Sequence, residues 1–150
     1  FGDEERKIDL NYIIRQEGLH TDANMQVRGA LLDRSVKTFR GTLDFIEGAR
    51  GSVGKEDEEG MILSPHARNR SVPLMLSHEG DVDGHHAVSI GRMDEDKLFY
   101  LMSRGLDERA AQQLIVEASF DPVLARIESD ELRTEIGSYL ERRLLGGTQE

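Results

Sequence analysis

Apolar and polar positions alternate with a period of two from the first strand-like stretch onward. Ile8, Leu10, Tyr12 and Ile14 are interleaved with Asp9, Asn11, Ile13 and Arg15, which puts the first set on one face of an extended segment and predicts a half-buried strand. Further strands are predicted at Met25 to Leu32, Val36 to Arg40, Thr42 to Ile46, Met61 to Leu63, Val72 to Ser77 and Ala87 to Ile90, separated by Gly, Asp, Asn and Ser turn signals. Strands this close together leave no room for helical crossovers, which argues against a doubly wound α/β sheet and leaves a sandwich, a barrel or a β-helix. Arg-Gly recurs at Arg28-Gly29 and Arg40-Gly41, too loosely for its period to choose among them. The run GARGSVGKEDEEG, from Gly48 to Gly60, has four glycines and a block of acids and is expected as an exposed loop without chemistry.

After Gly91 the period lengthens. Asp94 is the expected N-cap of a short helix through Leu98, Tyr100, Leu101 and Met102, stopped at Gly105. Asp107 caps a second helix, in which Ala111, Leu114, Ile115 and Ala118 share a face. Asp121-Pro122 reads as the opening of another short helix with Val123, Leu124 and Ile127 inward. Ser129 caps a last one bearing Leu132, Ile136, Tyr139 and Leu140, with Gly146-Gly147 as its end. The fold class is therefore α+β, mainly β, with the helices gathered after the strands.

Composition narrows the possible chemistry. At 150 residues one ordinary domain is expected, burying roughly 70% of its unfolded surface. No apolar run approaches the ~20 residues of a membrane helix, and no secretory leader is visible, so a cytoplasmic protein without membrane contact is expected. A net charge of −10 argues against nucleic-acid binding, since the arginine clusters at Arg68 and Arg70 and at Arg142 and Arg143 are small. The absence of cysteine excludes disulfides, thiolate nucleophiles and thiolate ligation of metals or clusters by this chain alone. The start at Phe1 rather than at a methionine is read as that of a fragment.

Histidines stand at positions 20, 66, 78, 85 and 86. Neighbours in an extended segment point to opposite faces, so His85 and His86, in the stretch DVDGHHAVSIG, cannot easily bind one metal together. No serine sits in a nucleophile elbow, and Gly48-x-x-Gly51-x-x-Gly54 lacks the Lys-Ser or Lys-Thr of a phosphate loop. Paired acids such as Glu58 and Glu59, or Asp81 and Asp83, are expected as solvated charge. No enzymatic activity is predicted. Leu98, Phe99, Tyr100, Leu101 and Met102 are apolar on more than one side of a helix, so that part of this segment must be covered, either by the core or by a partner.

One ordered set of positions is more specific. Asp81-Val82, His86, Gly91-Arg92, Leu98-Phe99-Tyr100-Leu101 and Ser103-Arg104-Gly105, followed by the acid-capped helix from Asp107, resembles the carboxy-terminal motif of the SufB and SufD family of iron–sulfur cluster assembly proteins. Upstream, Ile62-Leu63-Ser64, Ala67 and Val72-Pro73 resemble the final rungs of the same proteins. The resemblance implies a right-handed parallel β-helix over residues 1–92 and a small helical subdomain over 93–150. It implies a scaffold that pairs through its last β-helix strands, with a SufB/SufD-like paralogue or with a second copy of itself, and docks a SufC-like ATPase through the helical region, for which Leu98, Phe99, Tyr100, Leu101 and Arg104 are the candidate contacts. His86 falls on the histidine that in the family lies at the SufB–SufD interface, as a candidate ligand of transient iron or an iron–sulfur cluster. A SufD-like cysteine is replaced by Gly84, the acidic residue that follows the histidine in SufB-like members is Ala87, and a further SufB cysteine falls near Ala67. These losses place the chain nearer SufD, with no cofactor bound by it alone. A self-associating β-helical interaction domain with no metal or cluster role is the alternative. The chain is much shorter than typical members, which implies the later part of the β-helix or a minimal branch.

Overall fold

The computed structural model describes residues 1–144. Six strands precede three helices: β1 (Lys7–Gln16), β2 (Asp22–Leu31), β3 (Val36–Phe45), β4 (Ser52–Ile62), β5 (Arg68–Ser77), β6 (Val82–Arg92), α1 (Glu95–Ser103), α2 (Glu108–Leu124) and α3 (Asp130–Leu144). Successive strands alternate between two open, three-stranded, all-parallel sheets, β1-β3-β5 and β2-β4-β6. A parallel pair needs a crossover of a dozen or more residues, and here each crossover is a strand of the opposite sheet. Lys7 thus pairs with Val36, which pairs in turn with Arg68, while Ser52 pairs with Val82. The expected class, mainly β with the helices segregated behind the strands, is what the chain adopts.

The sheets face each other, and the pleat decides what lies between them. Lys37, Phe39, Gly41, Leu43 and Phe45 of β3 alternate inward and are all buried. The expected break at Arg40–Thr42 does not occur, because Gly41 is paired to Tyr12 on one side and Pro73 on the other within a continuous ladder. The larger correction concerns the run from Gly48 to Gly60. Only its first residues form a turn, and from Ser52 onward it is β4, the central strand of its sheet. Ser52, Gly54, Glu56, Glu58 and Gly60 point inward and Val53, Lys55, Asp57 and Glu59 outward. Its period of two is carried by Ser, Gly and Glu rather than by apolar residues, which is why it reads as solvated charge. Arg28 of β2 pairs with Asp57 and Glu59 on the outer face, so the outward acids are neutralised by the neighbouring strand.

Asp94 Oδ1 accepts from the Asp96 and Lys97 amides at 3.0 and 3.1 Å, Asp107 Oδ1 from Ala110 at 2.8 Å, and Ser129 Oγ from Leu132 at 3.2 Å, so each expected cap is made. Gly105, at φ +102°, ends α1 in a conformation that an L side chain rarely takes. Asp121-Pro122 starts no new helix. Pro122 lies inside the last turn of α2, where the Ala125 amide still donates to Asp121, and Phe120 and Leu124 remain anchored in the same core as Val116. Tertiary packing overrides the proline signal there. Gly146-Gly147 lie outside the described residues. The helices cover the outer face of β2 and β4: Ala30, Val116, Phe120 and Leu140 form the core, joined by Met61, Leu63, Leu124 and Ile136.

Candidate functional site

His86 faces the space between the sheets, directly opposite Glu56 in the β4–β6 register. Its Nδ1 lies 3.1 Å from Glu56 Oε2, and its side chain is 22% exposed. His85 points the other way, exposed, with Nε2 3.0 Å from Asp83 Oδ1 on the same strand face. The division of the two histidines follows from strand alternation alone.

Glu56 is wholly buried, flanked in the sheet by Met25 and His86. Its carboxyl occupies room left by Gly41, where a Cβ would sit 2.6 Å from the carboxylate atoms. Neither oxygen has a hydrogen bond of acceptable direction; the His86 contact is close enough but off line. Burial therefore raises the Glu56 carboxyl above the usual carboxylate range, the facing imidazole offsets only part of this, and the charge of Glu58 adds to the rise.

Glu58, two residues on, is also buried but fully served. It accepts from Lys37 Nζ at 2.8 Å, from Asn69 Nδ2 at 3.2 Å and from the Ser71 hydroxyl. Burial opposes its ionisation, yet the three donors outweigh burial and hold its carboxyl below the usual range. The interior thus contains two carboxylates of opposite character, one saturated and one facing a histidine. Sequence reading misses both, although the Ser-Gly-Glu-Glu-Gly alternation at every second position from Ser52 to Gly60 is the signal that reveals them.

Gly84, where a thiol is absent, abuts Met75 and Phe45: a Cβ there would lie 2.4 Å from Met75 Sδ and 3.3 Å from Phe45 Cε2. Ala67 is buried at the turn before β5. His20, His66 and His78 stand apart from His86, and no group of three or more His, Cys, Asp or Glu residues able to hold a metal occurs among the described residues. The interior pair, His86 and Glu56, supplies at most two ligands, so a metal held here would need donors from another chain.

α1 has no buried residue. Leu98 and Leu101 are half-buried, while Phe99 is 74% and Tyr100 56% exposed and Met102 also faces outward. Arg104, the C-cap, lies 5.2 Å from the Tyr100 ring centroid. Beside this face a groove of about 610 Å³ runs between α1, α2 and the outer face of β4, lined by Met61, Tyr100, Leu101, Leu114 and Pro122 among others. Of the candidate docking residues, Tyr100 and Leu101 line this groove, Leu98 lines a separate one and Phe99 lines neither; all stand on or at the end of α1, whereas His86 stands on β6.

Residues 1–119 match the family model described as SUF system FeS cluster assembly, SufBD core domain. Among curated proteins the chain is 30% identical over 116 residues to the iron-sulfur cluster assembly protein SufD of Bacillus subtilis, covering 77% of this chain and 26% of that protein. It is 31% identical over 146 residues to an iron-sulfur cluster assembly SufBD family protein of Pyrococcus horikoshii, covering 97% of this chain and 32% of that one. Against the SufD of Escherichia coli the identity is 25% over 117 residues, 78% of this chain and 28% of the relative. A parallel-stranded protein with trailing helices and an interior histidine–carboxylate pair is thus placed by its sequence: the chain belongs to the SufB/SufD family of the SUF iron–sulfur cluster assembly system. It spans between 26% and 32% of the length of these relatives. No helix of the described residues is long and apolar enough to cross a membrane.

Proposed function

We propose that the chain is a non-enzymatic scaffold element of a SUF-type iron–sulfur assembly complex, SufD-like in its lack of thiolate ligands and working in the cytoplasm with a SufC-like ATPase. The observation that carries this reading is the match to the SufBD core over residues 1–119. Its two facing parallel sheets act as rungs of a β-helix. The open edge strands β5 and β6 pair with a SufB/SufD-like paralogue or a second copy, since an unpaired strand edge is a ready template for another chain. Iron or a nascent cluster is the cargo, passing through a site at that interface to which this chain contributes His86 as a neutral imidazole.

The ATPase docks on α1. Copurification of the full chain with a SufC-like ATPase tests this: Phe99→Asp and Tyr100→Asp are each expected to weaken the association by at least about 30-fold, the effect of losing an aromatic hot spot. Both rings are largely exposed, so folding should be unaffected. Association that survives both changes removes α1 from the docking surface. A second reading, a self-associating β-helical interaction domain without metal, is favoured by one observation: Val72, Leu74 and Leu76 form an exposed apolar row on β5. It predicts stable self-association with no dependence on His86.

A further inference from the structure

We infer that Glu56 is the positioning residue of His86: it holds the ring through Nδ1–H and so leaves the Nε2 lone pair as the metal donor. This rests on the reading of His86 as a ligand. Four features of the interior carry it. Glu56 and His86 are register partners on adjacent strands, so the separation of their side chains is set by the sheet rather than by flexible loops. Nδ1, and not Nε2, is the nitrogen 3.1 Å from the carboxylate, and His86 has no other polar partner among the described residues. The carboxylate is completely buried with neither oxygen satisfied, whereas its neighbour Glu58 is saturated by three donors. Gly41 vacates the volume the carboxyl occupies.

A buried carboxylate kept only for structure takes donors as Glu58 does, because an unpaired one is costly. Among the described residues Glu56 faces one candidate donor, the imidazole. A histidine that binds a metal through one nitrogen generally donates from the other to a carboxylate or carbonyl, which fixes the tautomer and ring orientation. The N···O distance is already that of a hydrogen bond and only the direction is off; hydrogen bonds of this kind commonly tighten when the bound species arrives. The ring is 22% exposed and stands on an edge strand.

The test reads the tautomer directly. Ring ¹⁵N–¹H correlation spectra of the purified full chain at about pH 8, where an unperturbed imidazole is neutral, with His86 assigned through His86→Ala, are expected to show Nδ1 protonated and Nε2 bare. Glu56→Met, which removes the acceptor, should shift His86 toward the Nε2–H form; Glu56→Gln, whose amide oxygen can still accept, should retain the Nδ1–H form. Cobalt(II) binding by the complex with a cysteine-bearing paralogue should weaken about 10–100-fold in Glu56→Met and only a few-fold in Glu56→Gln. A folded Glu56→Met protein with an unchanged His86 tautomer overturns the inference. A Glu56-dependent tautomer in a complex that binds no cobalt upholds the positioning by Glu56 and refutes the ligand role of His86 instead.

Discussion

Replacing Lys37 by methionine is expected to destabilise the fold by about 3–5 kcal/mol, the cost of stranding one charge of a buried pair. Lys37 and Glu58 are both enclosed between the sheets, 2.8 Å apart, and among the described residues Lys37 is the one cation in contact with that carboxylate. Asn69 and Ser71 would remain as donors but carry no charge, and Glu56 lies next along β4 as a second acidic group. Changing Lys37 and Glu58 together to methionine should recover most of the loss, because an apolar pair of similar volume needs no compensation. The pH dependence has a definite sign. Since the folded protein holds the Glu58 carboxyl below its ordinary value, its contribution is complete above the usual carboxylate range and is lost as pH falls through the lowered value. Glu58→Gln should therefore flatten the acid limb of stability, while Lys37→Met, which strands the buried carboxylate, should abolish this acid loss or reverse it, because protonating Glu58 relieves the unpaired charge. Urea unfolding of the three variants across the acid range measures both effects, and a Lys37→Met change within about 1 kcal/mol of wild type, as at a surface pair, contradicts this view of the interior.

Phe45→Ala is expected to cost a similar amount, about 3–5 kcal/mol for a large buried ring. Phe45 is fully buried beside Leu43 and Ala49, with Ile14 and Val82 against them. Its ring lies over two glycines paired across β4 and β6: a Cβ on Gly54 would come 2.8 Å from Phe45 Cζ, and one on Gly84 3.3 Å from Cε2. Gly54→Ala should accordingly destabilise the wild type and cost less in the Phe45→Ala background, where the ring is gone and the contacts with Gln16 Oε1 at 2.9 Å and Leu43 Cδ1 at 3.3 Å remain. Denaturation of the two single variants and the double variant reads that coupling; strictly additive costs would mean that the ring and the glycines do not share one volume.

The same interior explains what the sequence conceals. The apolar alternation of Ile8 to Ile14 marks β1, and the caps at Asp94, Asp107 and Ser129 mark the helices, because each signal is local. β4 is hidden because its inward side chains are Ser, Gly and Glu, residues that signal turns and solvent when their partners are out of view. Lys37, Asn69, Ser71 and His86 stand on three other strands, and only the register brings them to the acids. His86 itself is legible from a motif and its orientation from strand geometry, while Glu56 requires both the fold and the void over Gly41. Pro122 misleads in the opposite direction, since the core contacts of Phe120 and Leu124 carry α2 through it.

We propose that this chain supplies one histidine, His86, to an iron or cluster site completed by another subunit. The direct measurement is the iron retained by the complex assembled from the full chain, a cysteine-bearing paralogue and the ATPase, compared with the same complex carrying His86→Ala. Intact assembly with most of the iron lost from the variant is the expected result; equal iron in both complexes would remove His86 from the site.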